Sequence, residues 1–274
     1  MLELRTTDGW LPIHDIGPEG LGTAFQRLVV AGPLAGNARD LDLLLEAFEG
    51  DFPGQRMASA PSVIAYSRSL LGLAPDPATS RAFDGLLARL AGHSLVEAEP
   101  ALDYEALFAD WGYIAGFEYA GVLPAPLRSA VAKRLYAWSF LDRRLGRGPV
   151  TAYFTAGLLG ERAAYERALA RRTETLATVD RFFAQHRVWV LPVSPSSAIL
   201  RSACGNPIAT PAGPVDYSRY LGSYLVPTAM MGTPALAVPI GRDLAGMPIA
   251  AQFHGARYCD RALVASVDAL FASP

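Results

Sequence analysis

Two apolar runs near the C-terminal end of the sequence constrain the fold most. Residues 234–240 and 248–253 are nearly free of polar side chains, and the turn-like hexapeptide Gly-Arg-Asp-Leu-Ala-Gly, residues 241–246, joins them. Runs this short, without alternation, read as strands buried on both faces. Such a sheet needs helices above and below it.

The rest of the chain predicts those helices. Asn37 is a good N-cap, Asp40 suits the positive end of a helix dipole, and Leu41, Leu44, Leu45 and Phe48 repeat at helical spacing, which predicts one buried face before Gly50. A second helix is expected from about Pro77, with Phe83, Leu86, Leu87 and Leu90 inward, and a strand at residues 94–97. Residues 103–142 read as mainly helical, interrupted by Pro124 and Pro126. The longest helix is expected at 161–186, with Tyr165, Leu169, Leu176, Val179 and Phe183 on one stripe. Arg172 interrupts that stripe, and its aliphatic stem can still cover apolar surface. A strand near 187–193 leads into a Pro/Ser/Gly-rich loop. Residues 216–231 read as a helix broken by Pro227, and Asp260 as the N-cap of a last helix facing inward through Leu263, Val267, Leu270 and Phe271. Residues 61–66 suggest a further strand, and residues 1–30 loops and short strands. Helices and buried strands interleave, so the class is α/β, read as one domain over residues 1–274.

Composition excludes several functions. Hydrophobic residues make up 51% and charged residues only 18%, which favours a large core or an apolar surface awaiting a partner. The net charge is −2, without the basic stripe that nucleic acid requires. Cys204 and Cys259 form no metal-ligating pair, and His14, His93, His186 and His254 are scattered, so neither a metal nor a cofactor is expected. The longest apolar run, 225–240, contains three prolines and is too short to span a bilayer. With no basic-then-apolar leader at the N-terminus, the expectation is a soluble cytoplasmic protein that touches neither membrane nor nucleic acid.

Familiar catalytic patterns fail one by one. The sequence has no Gly-x-Ser-x-Gly elbow, no P-loop and no dinucleotide glycine motif. His14 and Asp15 are adjacent, so their side chains would diverge on a strand. His254 ends a buried strand and reads as a satisfied core histidine rather than a base. Ser194, Ser196 and Ser197 follow a strand end, where α/β sites gather, yet no base lies nearby in sequence; Pro195 and the hydroxyls make a turn the simpler reading. Lys133 is the only lysine and sits between Ala132 and Arg134 in an amphipathic segment, where nothing desolvates it beside a serine.

Several stretches, taken in order, resemble the amidase signature family. They are Leu-Arg-Thr-Thr-Asp-Gly at 4–9, Gly-Pro-Leu-Ala at 32–35 with Asp40 and the leucine-rich helix, and Val-Leu-Pro at 190–192. The most specific are Gly-Thr-Pro-Ala-Leu-Ala-Val-Pro-Ile-Gly at 232–241 and Gly-Met-Pro-Ile-Ala-Ala-Gln at 246–252. Departures fall at Glu3, Gly36, Thr233 and Ala250. The resemblance implies a mixed β-sheet flanked by helices and incomplete at its N-terminal side. It also implies amide C–N hydrolysis by a Ser-Ser-Lys triad carried on a segment upstream of the first matched element. No residue here matches that triad, so no catalytic residue is carried over. The expectation is a C-terminal portion of an amidase, inactive alone, which meets a small-molecule amide once completed and self-associates through exposed sheet edges. Residues 213–232 are the expected substrate wall, with Tyr217, Tyr220, Tyr224, Thr228 and Met231 able to share one side of a helix. Two other readings stand beside this one: a non-catalytic ligand- or partner-binding protein, and a hydrolase rebuilt around Ser196 or Ser197.

Overall fold

The computed structural model of the chain describes residues 1–10, 28–49, 62–137 and 148–272. The two apolar runs are strands β8 (Ala235–Arg242) and β9 (Pro248–His254), paired antiparallel. They lie inside a seven-stranded mixed sheet with β1 (Leu2–Arg5), β2 (Leu34–Ala35), β3 (Val63–Tyr66), β4 (Ser94–Glu97) and β5 (Val188–Pro192). The strand order is β2-β1-β8-β9-β5-β3-β4. Strands β3, β4 and β5 run parallel to each other, while β9 meets β5 antiparallel. A separate short hairpin joins β6 (Ile208–Thr210) to β7 (Gly213–Val215).

Burial alternates across the sheet as strand geometry requires. Ile64, Val188, Val190, Leu236 and Phe253 enter one core, with α1 (Ala38–Glu49), α2 (Pro77–Arg89) and α9 (Asp260–Ala272) packed over it. Ala65, Trp189 and Leu191 enter the other, under α3 (Tyr104–Val122), α6 (Arg162–Phe183), α7 (Tyr217–Gly222) and α8 (Val226–Met230). Two further helices are α4 (Ala130–Tyr136) and α5 (Pro149–Leu158). The result is a mixed sheet between two helical layers.

Burial on both faces of β8 and β9 holds away from their turn. Pro239 and Pro248, near the hairpin tip, are exposed. Helix α2 follows its sequence pattern: Asp76 caps Thr79 N at 2.7 Å, and Phe83, Leu86, Leu87 and Leu90 are all buried. Helix α1 follows it in part. Asn37 Oδ1 accepts from Asp40 N at 2.9 Å, and Leu41 and Leu45 are fully buried. Leu44 and Phe48 are exposed, because α1 meets the sheet through the narrower stripe of Ala38, Leu41 and Leu45.

The helical stretch over 216–231 is broken at Pro227 as expected: α7 ends at Gly222, the chain turns at Ser223–Leu225, and Pro227 lies in the first turn of α8, where its missing N–H does no harm. One other expectation is corrected. Asp260 is the first residue of α9 rather than its cap. Its carboxylate accepts from Thr7 N and Thr7 Oγ1, both at 2.7 Å, and so ties the start of the last helix to the end of β1. Arg172 is buried over its whole side chain and is ion-paired to Asp8. His14, Asp15 and Gly50 lie outside the described residues.

Candidate functional site

The site is built around the turn that connects α8 to β8. Gly232 adopts φ +66° there, a left-handed conformation that glycine tolerates best, and an added Cβ would stand 2.9 Å from Asp8 Oδ2. The end of β1 grips this turn. Arg5 donates to Thr233 O at 2.7 Å and to Ala229 O at 3.2 Å, and Asp8 N donates to Gly232 O at 3.3 Å. Asp8 in turn holds Arg5 at 2.7 Å and pairs with Arg172 of α6.

A second network grips the same turn from β9. Gln252 Nε2 donates to Pro192 O at 3.0 Å and to Tyr224 O at 3.3 Å. Two carbonyl acceptors fix the orientation of the amide, so Gln252 Oε1 faces His254 Nε2 at 2.9 Å as an acceptor. His254 therefore carries its proton on Nε2, and Nδ1 accepts from Thr233 Oγ1 at 3.0 Å. Burial, and secondarily the nearby Arg5 charge, push the His254 pKa down to about 3. The ring is neutral with both nitrogens engaged, which matches its reading as a satisfied core histidine.

The carboxyl ends of the parallel strands are where open α/β sheets place ligands. After β5, the turn 194–197 occupies this position. Ser196 N donates to Ser194 Oγ at 3.3 Å, and Ser196 Oγ donates to the carbonyl of Ser197 at 3.0 Å. Ser197 Oγ donates to Asp243 Oδ2 at 2.6 Å, pinning the turn to the β8–β9 hairpin, while Asp76 N donates to Pro195 O at 2.7 Å and pins it to α2. The Ser197 hydroxyl, with backbone N–H groups of the hairpin, holds the Asp243 carboxyl below the usual carboxylate range, so it is a weak base. Lys133 lies on α4, which packs against the 3₁₀ turn Ala125–Leu127.

The five residues expected to line a substrate wall fall on α7, α8 and the chain just beyond each. Tyr220, Tyr224, Thr228 and Met231 are buried, and Tyr217 is half-buried. Tyr220, Tyr224 and Met231 share one core cluster with Trp189 and Leu191. Tyr224 OH donates to Leu73 O, and Thr228 Oγ1 donates back to Tyr224 O at 3.0 Å and Leu225 O at 2.9 Å. Burial raises the Tyr220 hydroxyl pKa, with the Ser196 hydroxyl opposing it. Tyr217 is raised by its hydrogen bond with Cys204. Both rings thus meet the loop that follows β5. Among the described residues, no group of three or more His, Cys, Asp or Glu is placed to hold a metal ion, and no helix is long and apolar enough to cross a membrane.

Neither the Arg5–Asp8–Arg172 cluster nor the Thr233–His254–Gln252 chain was singled out from the sequence. Gln252 and Thr233 stood in the matched runs, and only their identity as polar residues in apolar strands signalled a buried network.

The chain belongs to the amidase family, whose model, described as Amidase, matches residues 12–264. Among solved structures it is similar to one described as an amidase, with TM-score 0.72 and 20% identity, covering 99% of this chain and 58% of that one. It is also similar to 6-aminohexanoate cyclic dimer hydrolase complexed with substrate, with TM-score 0.68 and 20% identity, covering 98% and 59%. A third is fatty acid amide hydrolase, with TM-score 0.59 and 15% identity, covering 98% and 52%. At these identities the likeness carries the fold. The chain spans under 60% of the length of these structures. No curated protein matches it by sequence.

Proposed function

We propose that residues 1–274 act as one unit of an amide hydrolase, supplying sheet, helical layers and substrate wall, and do not hydrolyse amides alone. The supporting observation is the state of the serines after β5: Ser196 and Ser197 donate their protons to a carbonyl and to the weakly basic Asp243. A serine nucleophile needs a base to take its proton and donors for the developing oxyanion. The family's Ser-Ser-Lys chemistry is then contributed by polypeptide outside this sequence, and the substrate is a small-molecule amide.

In this reading Tyr217, Tyr220, Tyr224, Thr228 and Met231 form the wall against which the amide lies. Tyr217 and Tyr220 approach the ligand from beside the loop after β5, and Tyr224, Thr228 and Met231 hold the wall rigid. No cofactor or metal takes part, and the protein works in the cytoplasm. The fully active form is an assembly, since among the described residues the sheet ends at β2 and β4 with edges that pair with no further strand and can take another chain, including a second copy of this one.

The test is covalent labelling. The purified chain is incubated with a fluorophosphonate and its intact mass measured. The expected mass is that of the unmodified protein. A stoichiometric adduct that disappears when the protein is denatured before labelling would show an activated nucleophile within this chain and sink the proposal.

A further inference from the structure

A groove of about 340 Å³ runs between α3, α5 and α6, on the helical layer over the second core. Its lining carries two guanidinium groups, Arg167 and Arg171, four residues apart on α6. Like charges at that spacing repel each other on a helix. Buried Asp110 on α3 answers one of them: Arg171 Nε donates to Asp110 Oδ2 at 2.8 Å, and a second contact to the other oxygen makes the pair bidentate. Arg167 is exposed, and among the described residues it has no hydrogen-bond or ion-pair partner. The charged groups of the lining thus leave one positive charge unanswered.

The walls are rigid before anything binds. Tyr113 OH donates to Glu161 O at 3.2 Å and accepts from Glu161 N at 3.0 Å. Tyr153 OH donates to Glu105 Oε1 at 3.0 Å, and Arg219 holds that carboxylate at 2.9 and 2.8 Å. Both hydroxyls are therefore held, and the two tyrosines line the groove together with the alanines at 109, 156 and 164.

We propose that this groove binds a small monocarboxylate with a flat apolar body, the carboxylate on Arg167 and Arg171 and the body between Tyr113 and Tyr153. One net positive charge matches a monoanion and leaves a dianion under-neutralised. The unoccupied fork of Arg167 fits a carboxylate bidentately, and a fixed pair of aromatic walls favours a planar body. This site is separate from the turn at Gly232 and from any hydrolytic step, so it stands or falls independently of the proposed function.

The probe is sodium benzoate, titrated into the full 274-residue chain by calorimetry, with benzamide and inorganic phosphate as comparisons. Benzoate is expected to bind at least about tenfold more tightly than neutral benzamide, and more tightly than phosphate. Arg167→Gln is expected to weaken benzoate by about tenfold or more. Ala156→Leu, which fills the exposed floor of the groove, is expected to block it with the thermal melt unchanged. Equal affinity for benzoate and benzamide, preference for phosphate, or full benzoate affinity in Arg167→Gln would overturn the proposal.

Discussion

At the scale of single residues, His254 is the most consequential group. Its ring sits fully buried between Thr233 and Gln252, neutral, with a folded pKa near 3 against an ordinary 6.5. The folded state therefore refuses a proton that the unfolded chain accepts below about pH 6.5. Stability from this group is complete above that pH. It falls by about 1.4 kcal/mol per pH unit as pH drops toward 3, where the folded ring protonates too. Chemical denaturation between about pH 4 and 6 should show this slope, and His254→Gln should reduce it by close to one proton; an unchanged slope would assign the acid sensitivity elsewhere. Thr233→Val should leave Nδ1 without its donor, costing about 1–3 kcal/mol, read from the urea midpoint at pH 7. The placement of His254 in the core was legible from its strand, since a histidine closing an apolar run must be buried. Its partners were not. Asp8 and Arg172 lie 164 positions apart, and nothing in local sequence announces that a charge interrupting a helical stripe will meet a carboxylate from just beyond the first strand.

Between elements, helices α3 and α5 approach closely where they cross. A Cβ on Gly116 would lie 2.0 Å from Phe154 O, and one on Gly157 would lie 2.1 Å from Tyr113 O. These are backbone atoms that cannot swing away. Gly116→Ala should therefore force the helices apart and cost about 1–3 kcal/mol or more, despite alanine's better helix propensity. Thermal unfolding should show it, with Gly121→Ala, where a Cβ meets nothing within 4 Å, as the control that does not destabilise. The elements themselves were largely readable. Helix α2 announced its start and its stripe, β4 its bounds, and β8 and β9 their burial away from the turn. What failed did so for a physical reason. Periodicity places Leu44 and Phe48 on the apolar side of α1, but it cannot say how wide a stripe the sheet will cover. Pro227, by contrast, announced the break between α7 and α8, since its ring excludes the carbonyl four residues back from a helical bond.

At the scale of the whole molecule, the sheet has two margins, β2 and β4, that pair with no further strand among the described residues. The β4 margin carries Val96, 38% exposed, on a strand whose outer backbone groups meet no other strand among the described residues. Such an edge recruits another strand unless charge or proline blocks it. Sedimentation at increasing concentration should show association, and Val96→Lys should shift it toward monomer; a wild-type chain that stays monomeric at high concentration would leave the edges closed by other means. The candidate site was less legible than the fold for the same reason at every level, since its contacts join the two ends of the sequence. Strand β1 sits between β2 and β8, and Arg5 reaches Thr233 across 228 positions. That connection sets an order of events on the ribosome. At roughly 5–20 residues per second, the first strand is made on the order of ten to fifty seconds before β8 beside it has been synthesised. Until then Leu4 lacks the β8 side of the core it enters, and the nascent chain must carry that apolar strand exposed.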